Sequence, residues 1–496
     1  MSPGIIVSCI AGYFAFLLLI AWFTSRRATN QSYFLGNKAS PWFVVAFGLI
    51  GDTLSGVTFI SVPGQVATAK FSYFQIVLGN VVGYVIIAEV LLPLYYRLNL
   101  TSIYSYLRER IGPFAQRTGA FFFIISRLTG AGARLFLAAI VFQKFVFDQW
   151  RIPFAVTVSV IIALILIYTV RGGIKTLVWT DTFQSAFLLM GLVLSVVAIG
   201  RELDLSFVGL GRAVWESPHS QVFFWDWKQP NYFWKQFIAG IFTALAMTGL
   251  DQNMMQKNLS CPSLKAAKKN IYSYTVILLG INALFLSLGA LLFAYANAKG
   301  VAIPQSTDQL FPTLALTRLG AFAAVVFIFG LTAATFSSAD SVLTTLTTSF
   351  CIDFLGMERD GGWTEERKAR VRMAVHGMFA VLLLGIILLF QALAGGAIIT
   401  AVLAIAGYTY GPLLGLFAFG ILTGRQAFDR YTPLICVVSP AICWFVQRNS
   451  ESLLGGYKLG FELLVLNALL TFLGLVIFSG KEKPLAHRVI QGFGKQ

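Results

Sequence analysis

Residues 47–64 read FGLIGDTLSGVTFISVPG. The run is apolar enough to enter a membrane, but Gly48, Gly51, Gly56 and Pro63 weaken its helix, and Asp52, Thr53, Ser55 and Thr58 make its middle polar. A second run, IFTALAMTGLDQNMMQ at 241–256, repeats the design, with Thr248, Gly249, Asp251, Gln252 and Asn253 close together. Unwound backbone is tolerated at membrane depth only where it lines a cavity or is buried in protein. Two interrupted segments in corresponding positions point to a secondary transporter with inverted repeats. The alternative is an ordinary pair of glycine-kinked helices.

The rest of the chain fits a membrane protein. Of 496 residues, 57% are hydrophobic and only 12% charged, against about 25% charged in soluble domains; mean hydropathy is +0.76. The net charge of +16 does not gather into a nucleic-acid patch, because the charges fall in short segments between apolar runs. Taking about 20 residues per span, the apolar runs predict about 13 transmembrane helices, at 4–23, 41–69, 72–96, 114–147, 153–170, 179–200, 235–256, 271–296, 320–352, 373–393, 396–422, 432–447 and 459–478. The first is read as a retained helix rather than a signal peptide, since no basic residue precedes it. With the N-terminus outside and the C-terminus cytoplasmic, inner segments hold 24 Lys/Arg and outer ones 11, which the positive-inside rule favours; Arg127 and Arg134 lie within a helix. The five cysteines have no metal-ligand spacing and read as reduced packing residues. His219, His376 and His487 form no catalytic pair, and no hydrolase or P-loop motif is present. The chain is therefore not expected to be an enzyme.

A third stretch, LTAATFSSADS at 331–341, places Thr332, Thr335, Ser337, Ser338, Asp340 and Ser341 inside an apolar helix. A carboxylate there costs about 2.5–3.5 kcal/mol on insertion scales. Small hydroxyls beside a carboxylate suit a hard cation or a proton.

Together these stretches resemble the sodium:solute symporter family, that of the sodium/galactose and sodium/sialic-acid symporters, with the LeuT-type fold. The resemblance covers nearly the whole chain. It is strongest at LIGDTLSGVTF (49–59), RGGIKTLVWTDTFQ (171–184), LDQNMMQK (250–257), AATFSSADS (333–341) with TTLTTSFCIDF after it, and GYTYGPLLGLF (407–417). It implies an all-α polytopic protein with a 5+5 inverted repeat, the repeats at 41–200 and 235–424. One peripheral helix (4–23) precedes them; two (432–478) and a cytoplasmic tail (479–496) follow. It also implies a main Na⁺ site made of the backbone carbonyls of Gly51, Leu54 and Ala334 and the hydroxyls of Ser337 and Ser338. Some members hold a second Na⁺. Its counterpart here would be Ser337 or Ser338 with Asp340, Ser341 and Asp181. Asp340 stands where the family usually has a hydroxyl. Three readings follow: a tighter cation site, a carried proton, or a carboxylate that neutralises Arg134 or Arg127.

Those arginines lie seven apart, on one helix face, in FIISRLTGAGARLFLAAIVF (123–142), with Gly130, Gly132 and Ala133 making the face approachable. Either one grips an anionic substrate, or they pair with Asp52, Asp340 or Asp251, or Arg127 reaches the inner interface. In the sialic-acid symporters an arginine of this helix meets the substrate carboxylate, but its position aligns near Gly130. Asp52, Thr53, Ser55, Thr58, Gln75 and Gln252 are the other candidate substrate contacts, and Phe59, Phe74 and Tyr408 candidate gates. The expected function is Na⁺-coupled import of a small organic solute across the inner or plasma membrane, with a sialic acid or other organic acid favoured. The alternatives are a sugar symporter, a transporter-like sensor acting with a separate signalling partner, or a passive channel. No obligate protein partner and no nucleic acid are expected; the partners are the solute and membrane lipid.

Overall fold

The computed structural model describes residues 3–26, 29–359, 362–392, 398–453, 459–460 and 462–480. It is a helical membrane bundle. Among the described residues eight helices are long and apolar enough to cross a membrane, or ten if each of two bent pairs is one span. The bent pairs are the two polar runs. Trp42–Thr53 and Thr58–Ala69 meet at 58°, and Phe233–Gly249 and Gln252–Leu259 at 63°. The tail expected after 480 lies outside the described residues.

One expectation changes. The helix Phe154–Glu202 runs for 49 residues, about 74 Å at 1.5 Å per residue, more than twice the thickness of a bilayer core. What separates its halves is not the expected loop at 171–178 but one residue, Gly173, at φ 53° and ψ −144°. A Cβ there would lie 2.5 Å from the ring and carbonyl of Tyr33, so only glycine fits both the conformation and the space. The C-terminal helices Thr432–Arg448 and Glu462–Ile477 are short, 17 and 16 residues, and the latter packs on Ile398–Leu422.

The helix Gly320–Ser349 occupies the centre, packed on Phe154–Glu202, Pro113–Phe142 and the Trp42–Thr53 half. Every residue from Gly330 to Ser349 is buried. Its hydroxyls survive burial by bonding back to the helix: Thr332 to the Ile328 carbonyl at 2.6 Å, Thr335 to Leu331 at 2.7 Å, Thr347 to Leu343 at 2.7 Å and Thr348 to Thr344 at 2.9 Å. Ser341 and Ser349 donate instead to the carboxylates of Asp181 and Asp353, and among the described residues the hydroxyls of Ser337 and Thr344 have no partner.

Candidate functional site

At the first break, Leu54 (φ −93°, ψ 87°) leaves the helix, and its N–H makes the last ladder bond, 2.8 Å to the Ile50 carbonyl. Ser55 then caps the next helix, accepting the Thr58 N–H at 3.5 Å. The carbonyls of Gly51 and Leu54 are left at an open helix end. Gly51 faces the central helix closely: a Cβ on it would sit 2.6 Å from Ser337 Oγ and 2.9 Å from Ser185 Oγ. Ser185 Oγ accepts the Gly51 N–H at 2.8 Å. Ala334 and Ser338, four residues apart, share one face of the central helix, and Ser338 Oγ donates to the Thr335 carbonyl at 3.0 Å. The unpartnered Ser337 hydroxyl would cost about 1–3 kcal/mol if left so. A small cation beside it would remove that cost. An all-oxygen set of carbonyls and hydroxyls fits such an ion. Among the described residues no cluster of three His, Cys, Asp or Glu offers a softer metal site.

At Asp52, the residue after Gly51, lies a group that the sequence reading missed. The Lys257 ammonium, 1% exposed, bonds Asp52 Oδ2, Asp181 Oδ2 and, at 2.7 Å, Ser341 Oγ. Asp181 is also beside the first broken span, its Cβ 3.3 Å from where a Gly48 Cβ would be. Counted from sequence, Lys257 was one of the 24 inner-segment charges; with it inside the protein, 23 remain there. Asp52 is therefore held by Lys257 rather than by Arg134. Asp340 pairs with neither arginine. Its Oδ2 accepts from Tyr168 at 2.7 Å and from Gln184 at 3.4 Å, and its Oδ1 from the Ser341 N–H at 2.6 Å.

The two arginines divide. Arg127 is ion-paired to Asp251 at 2.5 Å, and Tyr410 donates to the same carboxylate oxygen at 2.8 Å. Asp251 Oδ1 in turn caps the helix after the second break through the Met254 N–H at 3.2 Å. Arg134 is half-buried, and among the described residues no carboxylate lies within 4 Å of it. Gly130, on the same face, would have nothing within 4 Å of a Cβ, so open space adjoins Arg134. One turn further, Leu137 lines a cavity of about 250 Å³ with Ile60, Ser61, Lys144, Asp308 and Gln309.

The remaining candidates scatter. Gln75 holds the 221–234 segment through the Asn231 carbonyl at 2.9 Å and the Phe224 N–H at 3.2 Å. Gln252 is spent on the Thr101 carbonyl and the Ile103 N–H. Thr53 bonds Tyr274 at 2.6 Å. Phe59 is fully buried among Phe285, Phe311 and Phe327. Tyr408 bonds Gln447, and Phe74 is only partly buried.

The chain has recorded relatives. It is 28% identical over 413 residues to the sodium-coupled monocarboxylate transporter 1 of Mus musculus, covering 80% of this chain and 65% of that one. It is 25% identical over 429 residues to the sodium/sialic acid symporter of Proteus mirabilis, covering 84% of each. The chain thus spans just under two thirds of the mouse transporter's length. Among solved structures, a substrate-bound outward-open Na⁺-coupled sialic acid symporter shares the fold at a TM-score of 0.81 and 22% identity, covering 95% of this chain and 97% of that one. A nucleobase-cation-symport-1 family transporter in a closed conformation shares it more distantly, at 0.54 and 13%. The sodium:solute symporter family model matches residues 33–428, and this multi-pass membrane protein belongs to that family of transporters.

Proposed function

We propose that the protein is a Na⁺-coupled symporter that takes up a small organic solute, with a carboxylate-bearing one favoured, by alternating access. The unpartnered Ser337 hydroxyl, set against the open carbonyl end at Gly51 and Leu54, carries this reading. Na⁺ would be held by Gly51, Leu54, Ala334, Ser337 and Ser338. The solute would lie beside Arg134, with Ser55 and Thr58 as neighbours, and would enter through the cavity at Leu137. Arg134 supports an acid because it has no carboxylate of its own, and an acid can be gripped bidentately by a guanidinium. The relatives' names, monocarboxylate and sialic acid, share that group.

In this reading 41–200 and 235–424 are the two inverted repeats, and thirteen spans follow if the halves of Phe154–Glu202 cross separately and the two short C-terminal helices cross as well. The 23 to 11 division of Lys/Arg supports an outside N-terminus and a cytoplasmic C-terminus in an inner or plasma membrane. Lipid is the surrounding partner, and no obligate protein partner is needed. Na⁺ and solute together would favour the state that transports, so coupling is differential affinity for two states.

A thermal-shift screen of the purified protein against carboxylic acids, with and without Na⁺, followed by uptake into liposomes, tests the reading. Stabilisation and uptake should both require Na⁺. Sodium-independent flux would sink the coupled reading. Unchanged transport by Arg134→Lys would remove the carboxylate contact.

A further inference from the structure

We infer that Lys257 is a built-in cation occupying the place of a second sodium, so that the protein binds a single Na⁺. The inference deepens the sodium-coupled reading and rests on it. The residues at which a second ion was expected are Ser337 or Ser338, Asp340, Ser341 and Asp181. The ammonium takes two of them, bonding Asp181 Oδ2 and Ser341 Oγ. Asp340 is turned to Tyr168, Gln184 and the Ser341 N–H. Ser337 Oγ faces Gly51 and belongs to the main site. Of that set Asp181 Oδ1 alone is left without a partner outside the main site, and one oxygen is not a shell for another ion.

Charge points the same way. Asp52, Asp181 and Lys257 together carry one net negative charge. Each carboxylate leaves its Oδ1 without a partner. One Na⁺ at the neighbouring main site balances that charge; a second would have only Asp340 to balance it, and both oxygens of Asp340 already accept from Tyr168, Gln184 and the Ser341 N–H. A tethered ammonium also costs no ion binding from solution. It comes from the second broken span, whereas Asp52 comes from the first, so the two breaks are joined by the group that replaces the ion.

Equilibrium binding of radioactive sodium to the purified full-length protein, without solute, tests this. One Na⁺ per protein is expected, weakened about tenfold or more by Ser338→Ala. Two Na⁺ per wild-type protein would overturn the inference and leave the sodium-coupled reading standing. None would remove both. In the charge-conserving double variant Lys257→Met/Asp52→Asn, Asp181 and Ser341 are released and a second Na⁺ should bind. A folded double variant that still binds one Na⁺ would overturn the inference. If that variant does not fold, the wild-type count decides.

Discussion

At the first break the chain leaves its helix with carbonyls uncovered, facing a short hydroxyl that has no partner of its own. At the second, the carbonyls released by the bend are capped: Tyr95 donates to Gly249 at 2.9 Å and Tyr104 to Leu250 at 3.0 Å. The breaks use similar residues, each with glycine and an aspartate, and each aspartate has a buried cation: Lys257 for Asp52, Arg127 for Asp251. The difference lies in what faces them. Serines leave room between helices; tyrosines fill it. A broken span is therefore not in itself an ion site. In the sodium-coupled reading, what faces the break decides whether the freed carbonyls hold an ion or a phenol.

The comparison breaks most violently at Arg127. Removing one partner of a buried ion pair costs about 3–5 kcal/mol, because the other charge is left uncompensated. Arg127→Met should therefore lose most of its folded yield, seen as a collapse in thermal stability in detergent. The double variant Arg127→Met/Asp251→Asn should recover part of the loss. A folded, stable Arg127→Met that fails only in solute uptake would turn Arg127 into a substrate contact and open the second break to function.

At the first break the expected effect is on ion affinity rather than on folding. Ser337→Ala and Ser338→Ala each delete an oxygen that would face a charge, a contact worth about 1.5–3 kcal/mol. Sodium affinity should fall by about tenfold or more, with thermal stability in the absence of sodium nearly unchanged for Ser338→Ala and raised for Ser337→Ala, which removes the unpartnered hydroxyl. Gly51→Ala should act more weakly through space: its Cβ meets Ser337 and Ser185, and overpacking costs about 1–3 kcal/mol. Ser337→Ala in the Gly51→Ala background should then add little, since both strike one contact.

How much of this was legible follows the same division. Glycine, proline, hydroxyls and a carboxylate in an apolar run mark a break wherever they occur, so both bends were readable at 47–64 and 241–256. The serines at 337 and 338 were readable because hydroxyls in a buried helix are conspicuous. Lys257 was not. It sits at the edge of KNLSCPSLKAAKK, which reads as an inner loop, and its partners Asp52 and Asp181 are 205 and 76 residues away. The usable signal was the density of polar residues from Asp251 to Lys257, interrupted only by Met254 and Met255, on a short helix whose residues are all buried. The tyrosine caps were equally hidden. Tyr95 and Tyr104 lie in segments with nothing to mark their phenols as aimed at another helix's carbonyls.

Those caps give the finest test of the comparison. Tyr95→Phe keeps the ring and its packing but leaves the Gly249 carbonyl without its donor. A net loss of about 1 kcal/mol in stability is expected, with sodium affinity unchanged, because the remaining carbonyl has no hydroxyl opposite it to complete an ion's shell. Pairing it with Tyr104→Phe uncovers the carbonyls of both Gly249 and Leu250 and reproduces the backbone half of the first break. If sodium then stabilises the double variant more steeply than the wild type, open carbonyls alone are enough to recruit the ion, and Ser337 and Ser338 lose their deciding role. If sodium does not, the central helix and its serines are what separate the two breaks.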